Sequence, residues 1–212
     1  MNRGITLKLC LAVNGGTLAF STSFAQKRVD ADEDTTKTKQ AQAVSKDVYE
    51  DIQKAQELVD AKDYNGALRL LNNLYNPDKL TEYEQANVLN YIGFVYYNMD
   101  DVTNALRTYE RMLAIPTLEP QMAKQTTYTM VQLLTMDEQY SKALTTLEKW
   151  FLLEPNPAPE PFILKAQNLY QVQRYKEMVE PIETAMRIAN ERDKPVKEDW
   201  WNLLNFAYFQ QE

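Results

Sequence analysis

From Asp47 onward, apolar residues recur every three or four positions, which is the spacing of one face of an α-helix. No stretch keeps the apolar and polar alternation of a half-buried strand. The same arrangement, a turn followed by an amphipathic helix, occurs at four places. These are DYNGALRLL from Asp63, DVTNALRTY from Asp101, QYSKALTTL from Gln139 and RYKEMVEPI from Arg174. The pattern predicts an all-α chain assembled from repeated helix pairs.

One register relates the four segments. They align on anchor positions spaced by 38, 38 and 35 residues, namely Ala67, Ala105, Ala143 and Met178. Twelve residues before each anchor the chain carries a small or modest side chain, namely Ala55, Gly93, Val131 and Ala166. A glycine inside a helix costs about 1 kcal/mol relative to alanine. Gly93 therefore indicates a crossing where two paired helices lie close together, although a glycine merely tolerated there is the alternative.

The second repeat carries a recurring signature. Its positions are Leu89, Ile92, Gly93, Tyr96, Ala105 and Tyr109. The third repeat keeps Leu134, Tyr140, Ala143, Leu147 and Pro155, and a fifth begins with Trp201, Leu204 and Tyr208. In these residues the chain resembles the tetratricopeptide repeat (TPR) family. The resemblance implies an α-solenoid of antiparallel helix pairs wound into a right-handed superhelix.

The repeats place an array over residues 47–212, with about four repeats and the first helix of a fifth. At residues 200–209 an apolar helix face lacks the second helix that would cover it. We expect either a fragment of a longer protein or an end that needs a partner.

The N-terminal segment differs in kind from the array. Residues 1–25 combine basic Arg3 and Lys8 with a short apolar run and a small-residue cleavage site ending at Ala25, which predicts a secretory signal peptide. An uncleaved membrane anchor is the alternative. Residues 26–46 have few large apolar side chains and mixed charges, which predicts a flexible linker. No later stretch approaches the roughly 20 apolar residues that a membrane span requires.

Composition excludes much chemistry. The chain has no histidine, and its single cysteine, Cys10, lies in the predicted signal peptide. The mature chain would therefore have no disulfide, no Cys/His zinc site and no histidine base. Removal of the signal, which has two basic residues and no acidic one, changes the net charge from −7 to −9. Such an acidic chain is a poor ligand for nucleic acid or anionic lipid.

We expect no metal, no cofactor and no enzymatic activity. The acidic pairs Asp100 with Asp101 and Glu191 with Asp193 fall at predicted turns, where carboxylates are usually solvated. The rival hypothesis is an enzyme, or the regulatory part of one, that works through carboxylates or a metal.

A partner-binding groove is predicted on the first helix of each repeat, along the face opposite the packing stripe. The groove residues are Asn87, Asn90, Tyr91, Phe94, Tyr97, Asn98, Tyr128, Gln132, Ile163, Gln167, Tyr170, Asn202 and Phe206. This aromatic and amide-rich lining suits a peptide or a partner's helix, since amides satisfy a peptide backbone and aromatic rings supply contact area. It contains no basic clamp for a terminal carboxylate. The alternative is that the aromatic residues pack between neighbouring repeats.

Two longer stretches carry a closer resemblance. They are KTKQAQAVSKDVYEDIQKAQELVDAKDYNGAL, from Lys37 to Leu68, and DKPVKEDWWNLLNFAYF, from Asp193 to Phe209. Both resemble the periplasmic TPR proteins that accompany TonB, ExbB and ExbD in Gram-negative bacteria. The resemblance implies a non-catalytic periplasmic scaffold in a TonB-dependent transport system, with these proteins as partners. A general adaptor for envelope assembly is the main alternative.

Overall fold

The computed structural model describes residues 44–210, which lie in one compact unit and contain no β-strand. The predicted signal peptide and residues 26–43 of the predicted linker lie outside this range. The helices are α1 (Lys46–Asp60), α2 (Tyr64–Leu74), α3 (Glu82–Asn98), α4 (Val102–Leu113), α5 (Pro120–Met136), α6 (Tyr140–Leu153), α7 (Pro159–Gln171), α8 (Val179–Glu191) and α9 (Glu198–Phe209). A short 3₁₀ helix, Tyr175–Met178, precedes α8.

The helices are arranged as successive pairs. Helix α1 packs on α2, α3 on α4, α5 on α6 and α7 on α8, and each second helix also contacts the first helix of the next pair. We call α1, α3, α5, α7 and α9 the A helices, and the others the B helices. The predicted all-α solenoid of antiparallel helix pairs is confirmed.

The buried core is a series of apolar clusters along the array. The first cluster, for example, combines Val48 of α1 and Leu71 of α2 with Ile92 of α3. All four anchors, Ala67, Ala105, Ala143 and Met178, are fully buried. Because most contacts lie within a repeat or between neighbouring repeats, each pair depends on the next for part of its apolar cover.

Gly93 lies where α3 crosses α4. A methyl group at this position would come within 2.7 Å of two ring carbons of Tyr109, on α4. Carbon atoms in favourable contact are about 3.5–4.0 Å apart. The absent side chain therefore makes room for the Tyr109 ring, which is 1% exposed.

The same two positions combine a small or modest residue with a larger one in every repeat. Residues four positions after the anchors are the larger partners, namely Leu71, Tyr109, Leu147 and Ile182, and all four are fully or almost fully buried. Ala55 shares a cluster with Leu71, Val131 with Leu147, and Ala166 with Ile182. The smallest residue of the series, Gly93, faces the largest partner, Tyr109.

Each A helix of the four complete repeats ends in the same type of turn. A non-glycine residue with positive φ follows the helix at Lys62 (62°), Asp100 (58°), Glu138 (58°) and Gln173 (60°). The next amide returns to a carbonyl of the last helical turn, as in Asp101 N to Tyr96 O at 3.0 Å. This is the Schellman arrangement. It sets the direction of the B helix that follows.

Pro181 falls inside the predicted second helix of the fourth repeat, where a proline predicts a kink or a late start. The late start is confirmed, because residues Tyr175–Met178 form a 3₁₀ turn and α8 begins at Val179. Pro181 therefore lies in the first turn of α8, where its missing N–H removes no hydrogen bond within the α-helix.

A buried carboxylate joins the first two repeats. Glu84, on α3, accepts hydrogen bonds from Ser45 N at 3.0 Å and from Thr81 N and Oγ1 at 2.9 Å. Burial opposes its charge, but the hydrogen bonds from Ser45 and Thr81 outweigh burial and lower the pKa of Glu84 to about 2. Since Ser45 occupies the N-cap position of α1, the Glu84 side chain holds the start of α1 against the start of α3.

We expect Gly93→Ala to lower the free energy of unfolding by about 1–3 kcal/mol, because the overpacking outweighs the helix propensity that alanine gains. The substitution Tyr109→Leu removes the ring, so the double variant should be more stable than the sum of the single changes predicts. Denaturant unfolding of the four proteins measures this coupling.

Tyr109→Phe is the matched control, since it keeps the ring and removes only a buried hydroxyl that has no hydrogen-bond partner among the described residues. Phenylalanine should not rescue Gly93→Ala. Equal rescue by leucine and phenylalanine would contradict the close approach of Gly93 to the ring.

We expect Glu84→Gln to destabilise the chain at pH 7 by on the order of 1–3 kcal/mol, because the amide replaces a charged acceptor with a poorer one. The carboxylate pKa is about 2 when folded and about 4.3 when unfolded. Its stabilisation is therefore complete above the unfolded value and is lost as the pH falls toward 2. Thermal unfolding measured between neutral and acidic pH should show that Glu84→Gln loses less stability on acidification than the unsubstituted chain does. The exposed Glu57 serves as control, and an equal change in Glu57→Gln would contradict the assignment.

Candidate functional site

The A helices present a partly exposed stripe beside their buried faces. On α3 all six predicted groove residues are partly exposed, while Leu89, Ile92 and Val95 between them are buried. On the next A helices the stripe includes Gln132 of α5 and Gln167 and Tyr170 of α7, which are also partly exposed. We call these partly exposed residues, with Asn202 and Phe206 of α9, the A-helix stripe.

One predicted groove residue lies elsewhere. Ile163 is 6% exposed and belongs to the core cluster that α7 shares with α8 and α9. Trp200 and Leu203 of α9 are members of the same cluster. The phase of α7 alone places Ile163 on the outer face, but Ile163 is buried in this cluster, so its assignment to an open groove is corrected.

Several predicted groove aromatics pack against neighbouring elements. The ring of Tyr128 lies 4.8 Å from that of Trp150 on α6, and burial with the nearby charge of Glu160 raises the pKa of Tyr128 to about 12. Tyr170 lies 5.1 Å from Phe206, and both contact Tyr175, so the three rings join α7 to α9. These rings leave only part of their surface for a ligand.

The aromatics of α3 lie beside the first repeat. Tyr91 and Phe94 pack on the cluster formed by α1, α2 and α3. Burial raises the pKa of Tyr91, with a smaller effect from Tyr49 of α1. Tyr97 instead packs on the cluster that α3 shares with α4 and α5. The α3 part of the stripe is therefore fixed in place by both neighbouring repeats.

The amides of the stripe fall into two groups. Asn87 and Asn98 each donate from Nδ2 to a carbonyl of their own helix at 2.8 Å. No side-chain hydrogen bond within residues 44–210 involves the remaining predicted amides, which are Asn90, Gln132, Gln167 and Asn202. We call these four residues the amide row. One amide of this group lies on each of α3, α5, α7 and α9.

A buried polar pair lies next to the stripe. Asn168 Nδ2 donates to Thr135 Oγ1 at 3.0 Å and to Leu164 O at 2.8 Å, and Asn168 is fully buried. The pair joins α5 directly to α7. Because both polar groups are satisfied by the protein, the pair ties these two A helices together.

Three stripe residues were missing from the sequence prediction. Adding the repeat spacing of 38 to Asn87 and Asn98 gives Gln125 and Met136, and subtracting it from Asn87 gives Tyr49. All three are exposed, and Met136 is 52% exposed. The 38-residue spacing between repeats identifies these positions. The sequence prediction instead used the helical phase within each repeat separately.

Several carboxylates of residues 44–210 that line a cleft or a turn are engaged in ion pairs and helix caps. A cleft of about 530 Å³ beside α6, α7 and α8 contains Glu148, Glu177 and Glu180. Glu148 pairs with Lys165 at 2.7 Å, and the hydrogen bond from Arg174 lowers the pKa of Glu177, which is the opposite of a general acid. At the turns, Asp101 caps α4 by accepting a hydrogen bond from Asn104 N at 3.1 Å.

Residues 44–210 contain neither a metal-binding cluster nor a membrane-spanning helix. Acidic, cysteine and histidine side chains form no group of three or more that could hold a metal ion. Among the helices of that region, none combines the length and apolar character needed to cross a bilayer.

Solved structures resemble the chain in fold. MamA 41-end from Desulfovibrio magneticus RS-1 superposes with a TM-score of 0.59 at 16% identity, covering 80% of this chain and 88% of that one. MamA from AMB-1 gives 0.58 at 18% identity, covering 78% and 82%. The apo form of RapI gives 0.65 at 14% identity, covering 77% of this chain and 48% of RapI.

Comparison by sequence gives no match. No protein-family model matches the chain, and no curated protein matches it. At these identities the structural likeness establishes the architecture alone.

We expect Phe206→Ala to lower the free energy of unfolding by about 2–4 kcal/mol, because the substitution removes a ring packed against Tyr170 and Tyr175. Asn202→Ala, on the same helix, should change it by less than about 0.5 kcal/mol. Denaturant titration of both variants measures the difference. Equal stability of the two variants would contradict the packing role of Phe206 and leave its ring available to a ligand.

The helix pairs, their shared register and the matching structures agree on one architecture: the chain has the fold of a TPR-type α-solenoid.

Proposed function

We propose that the chain is a non-catalytic scaffold that binds a protein partner along the A-helix stripe. The observation that carries the proposal is the combination of partly exposed aromatic rings with amides that bond nothing else in residues 44–210. Aromatic side chains supply most of the contact energy at protein interfaces. Free amides donate and accept hydrogen bonds, so they suit the backbone of a partner.

The pairing of the charged residues favours binding over catalysis. Lys165 is engaged with Glu148 and Arg174 with Glu177. Glu84, whose pKa is about 2, is used to join helices. A catalytic acid or base is expected instead to have a pKa close to the working pH.

We further propose that the scaffold works in the periplasm as part of a TonB-dependent transport system. The support is the predicted signal peptide of residues 1–25 and the resemblance of Lys37–Leu68 and Asp193–Phe209 to TonB-associated periplasmic repeat proteins. On this proposal the partners are TonB, ExbB or ExbD. A general envelope-assembly adaptor has the same groove and differs only in its partner.

The test is crosslinking in intact cells of the natural host. A photoreactive amino acid replaces Gln132 or Gln167 in the A-helix stripe. As controls it replaces Asn73 or Asn190, which are exposed amides on the B helices. We expect specific adducts from the stripe positions only, because the partner contacts that face, and mass spectrometry of the adducts identifies the partner.

The outcomes test separately the two levels of the proposal, which are the scaffold function and the TonB assignment. Adducts with TonB, ExbB or ExbD support both levels. Adducts with other envelope proteins from the stripe positions reject the TonB assignment and favour the assembly adaptor. Equal or absent crosslinking at stripe and control positions rejects the scaffold function itself.

A further inference from the structure

A cleft beside the fourth helix pair lies apart from the A-helix stripe. Its walls come from α6, from α7 and from the segment in which the 3₁₀ helix leads into α8, and its volume is about 530 Å³. No residue of the A-helix stripe lines it. Clefts that hold small molecules in proteins have volumes of about 300–1,000 Å³. We call this feature the α6–α8 cleft.

The inner surface of the α6–α8 cleft is apolar. Leu144 of α6 and Leu169 of α7 line it, and both residues are buried, with 6% and 2% exposure. Ser141 and Thr145 bring hydroxyl groups from α6. Ligand sites commonly combine an apolar surface with a few polar groups that fix orientation. The cleft therefore suits a small ligand that has an apolar part.

Four charged side chains line the same cleft as two ion pairs. Lys165 Nζ lies 2.7 Å from Glu148 Oε1, and Arg174 Nε donates to Glu177 Oε1 at 2.7 Å. The hydrogen bond with Glu177 raises the pKa of Arg174, and the charge of Glu148 adds to this effect. The hydrogen bond from Arg174 lowers the pKa of Glu177, and the charge of Lys165 also lowers it. Each base therefore has both carboxylates as neighbours, so positive and negative groups alternate around the cleft.

These four side chains can bond a ligand as well as each other. Glu148, Arg174 and Glu177 have side chains that are 59%, 51% and 55% exposed. Arg174 bonds Glu177 through Nε and Nη2, which uses two of the five guanidinium N–H donors. Exposed ion pairs contribute little to stability. A ligand can therefore share these charges without a large loss of internal bonding.

The balance of charge in the cleft favours a ligand that carries a positive group. Glu180, in the first turn of α8, is a third carboxylate, so three acidic residues stand against two basic ones and the sum is −1. This sum disfavours a ligand that has only negative charge. A ligand with only positive charge is repelled by Lys165 and Arg174. A molecule that carries both charges matches the alternation.

We propose that the α6–α8 cleft binds a small zwitterion that combines an ammonium group, a carboxylate and an apolar side chain, as a hydrophobic α-amino acid or dipeptide does. The carboxylate lies beside Arg174 and Lys165, and the ammonium group lies beside the glutamates. The apolar side chain covers Leu144 and Leu169. The site is separate from the A-helix stripe, so this proposal does not rest on the scaffold function.

The test is isothermal titration calorimetry of the purified chain with free L-phenylalanine and with L-leucyl-L-leucine. Each ligand is compared with its N-acetylated form, which lacks the ammonium group, and with its C-terminal amide, which lacks the carboxylate. We expect saturable binding of at least one free zwitterion. Both blocked forms of that ligand should bind about ten- to a hundredfold more weakly, which is the effect of losing a hydrogen bond to a charged group.

Substitutions in the cleft test the assignment of the charges. Arg174→Gln and Lys165→Gln should each weaken binding of the free zwitterion by at least about tenfold. The matched control is Arg187→Gln, because Arg187 pairs with Glu191 at 2.8 Å on α8 but does not line the cleft. This control should leave the affinity unchanged. Thermal unfolding without ligand checks that each variant is folded.

Any of three results would overturn the proposal. The first is the absence of saturable binding by either zwitterion at concentrations up to about 10 mM. The second is equal binding of the free and blocked forms, which would show that the charges of the ligand are not recognised. The third is an affinity in Arg174→Gln and Lys165→Gln that equals the affinity of Arg187→Gln.

Discussion

The close approach of each A helix to its B helix is the constraint on which the array depends. Gly93 and Tyr109 show it most directly, because a single methyl group would collide with the ring. The other repeats combine modest and large residues at the same two positions. The crossing sets the position of the B helix. Because the next A helix packs on that B helix, the crossing also affects the position of the next pair. The face that each A helix exposes is therefore set by the packing of its opposite face.

The charges are distributed so that the stripe stays neutral. Ion pairs such as Lys124 with Glu154 lie near helix ends, and Glu84 is satisfied by backbone and hydroxyl groups rather than by a cation. A surface that is polar without being charged has lower desolvation costs than one built from carboxylates and amines. This arrangement lets the stripe be covered by a partner without first breaking any internal bond of the amide row.

The sequence predicts the repeat architecture well because its signals are local. The spacing of the anchors, the small residue at Gly93 and the late start at Pro181 depend on neighbours within one helix pair. The sequence predicts the residues of the A-helix stripe less well. Ile163 is buried in a cluster that α7 shares with other helices, and Tyr128 faces Trp150, so the positions of both side chains depend on adjacent helices. The bonds from Ser45 to Glu84 and from Thr135 to Asn168 join residues 39 and 33 positions apart, and no periodicity reports them.

The turns between the paired helices have a further consequence. Lys62, Asp100, Glu138 and Gln173 hold a left-handed backbone that glycine would adopt with little strain. Each such residue costs about 1–2 kcal/mol, which the packing within a pair and against its neighbours has to offset. The order of each turn is therefore tied to the repeats on either side of it, so the solenoid is more than a multiple of independent modules.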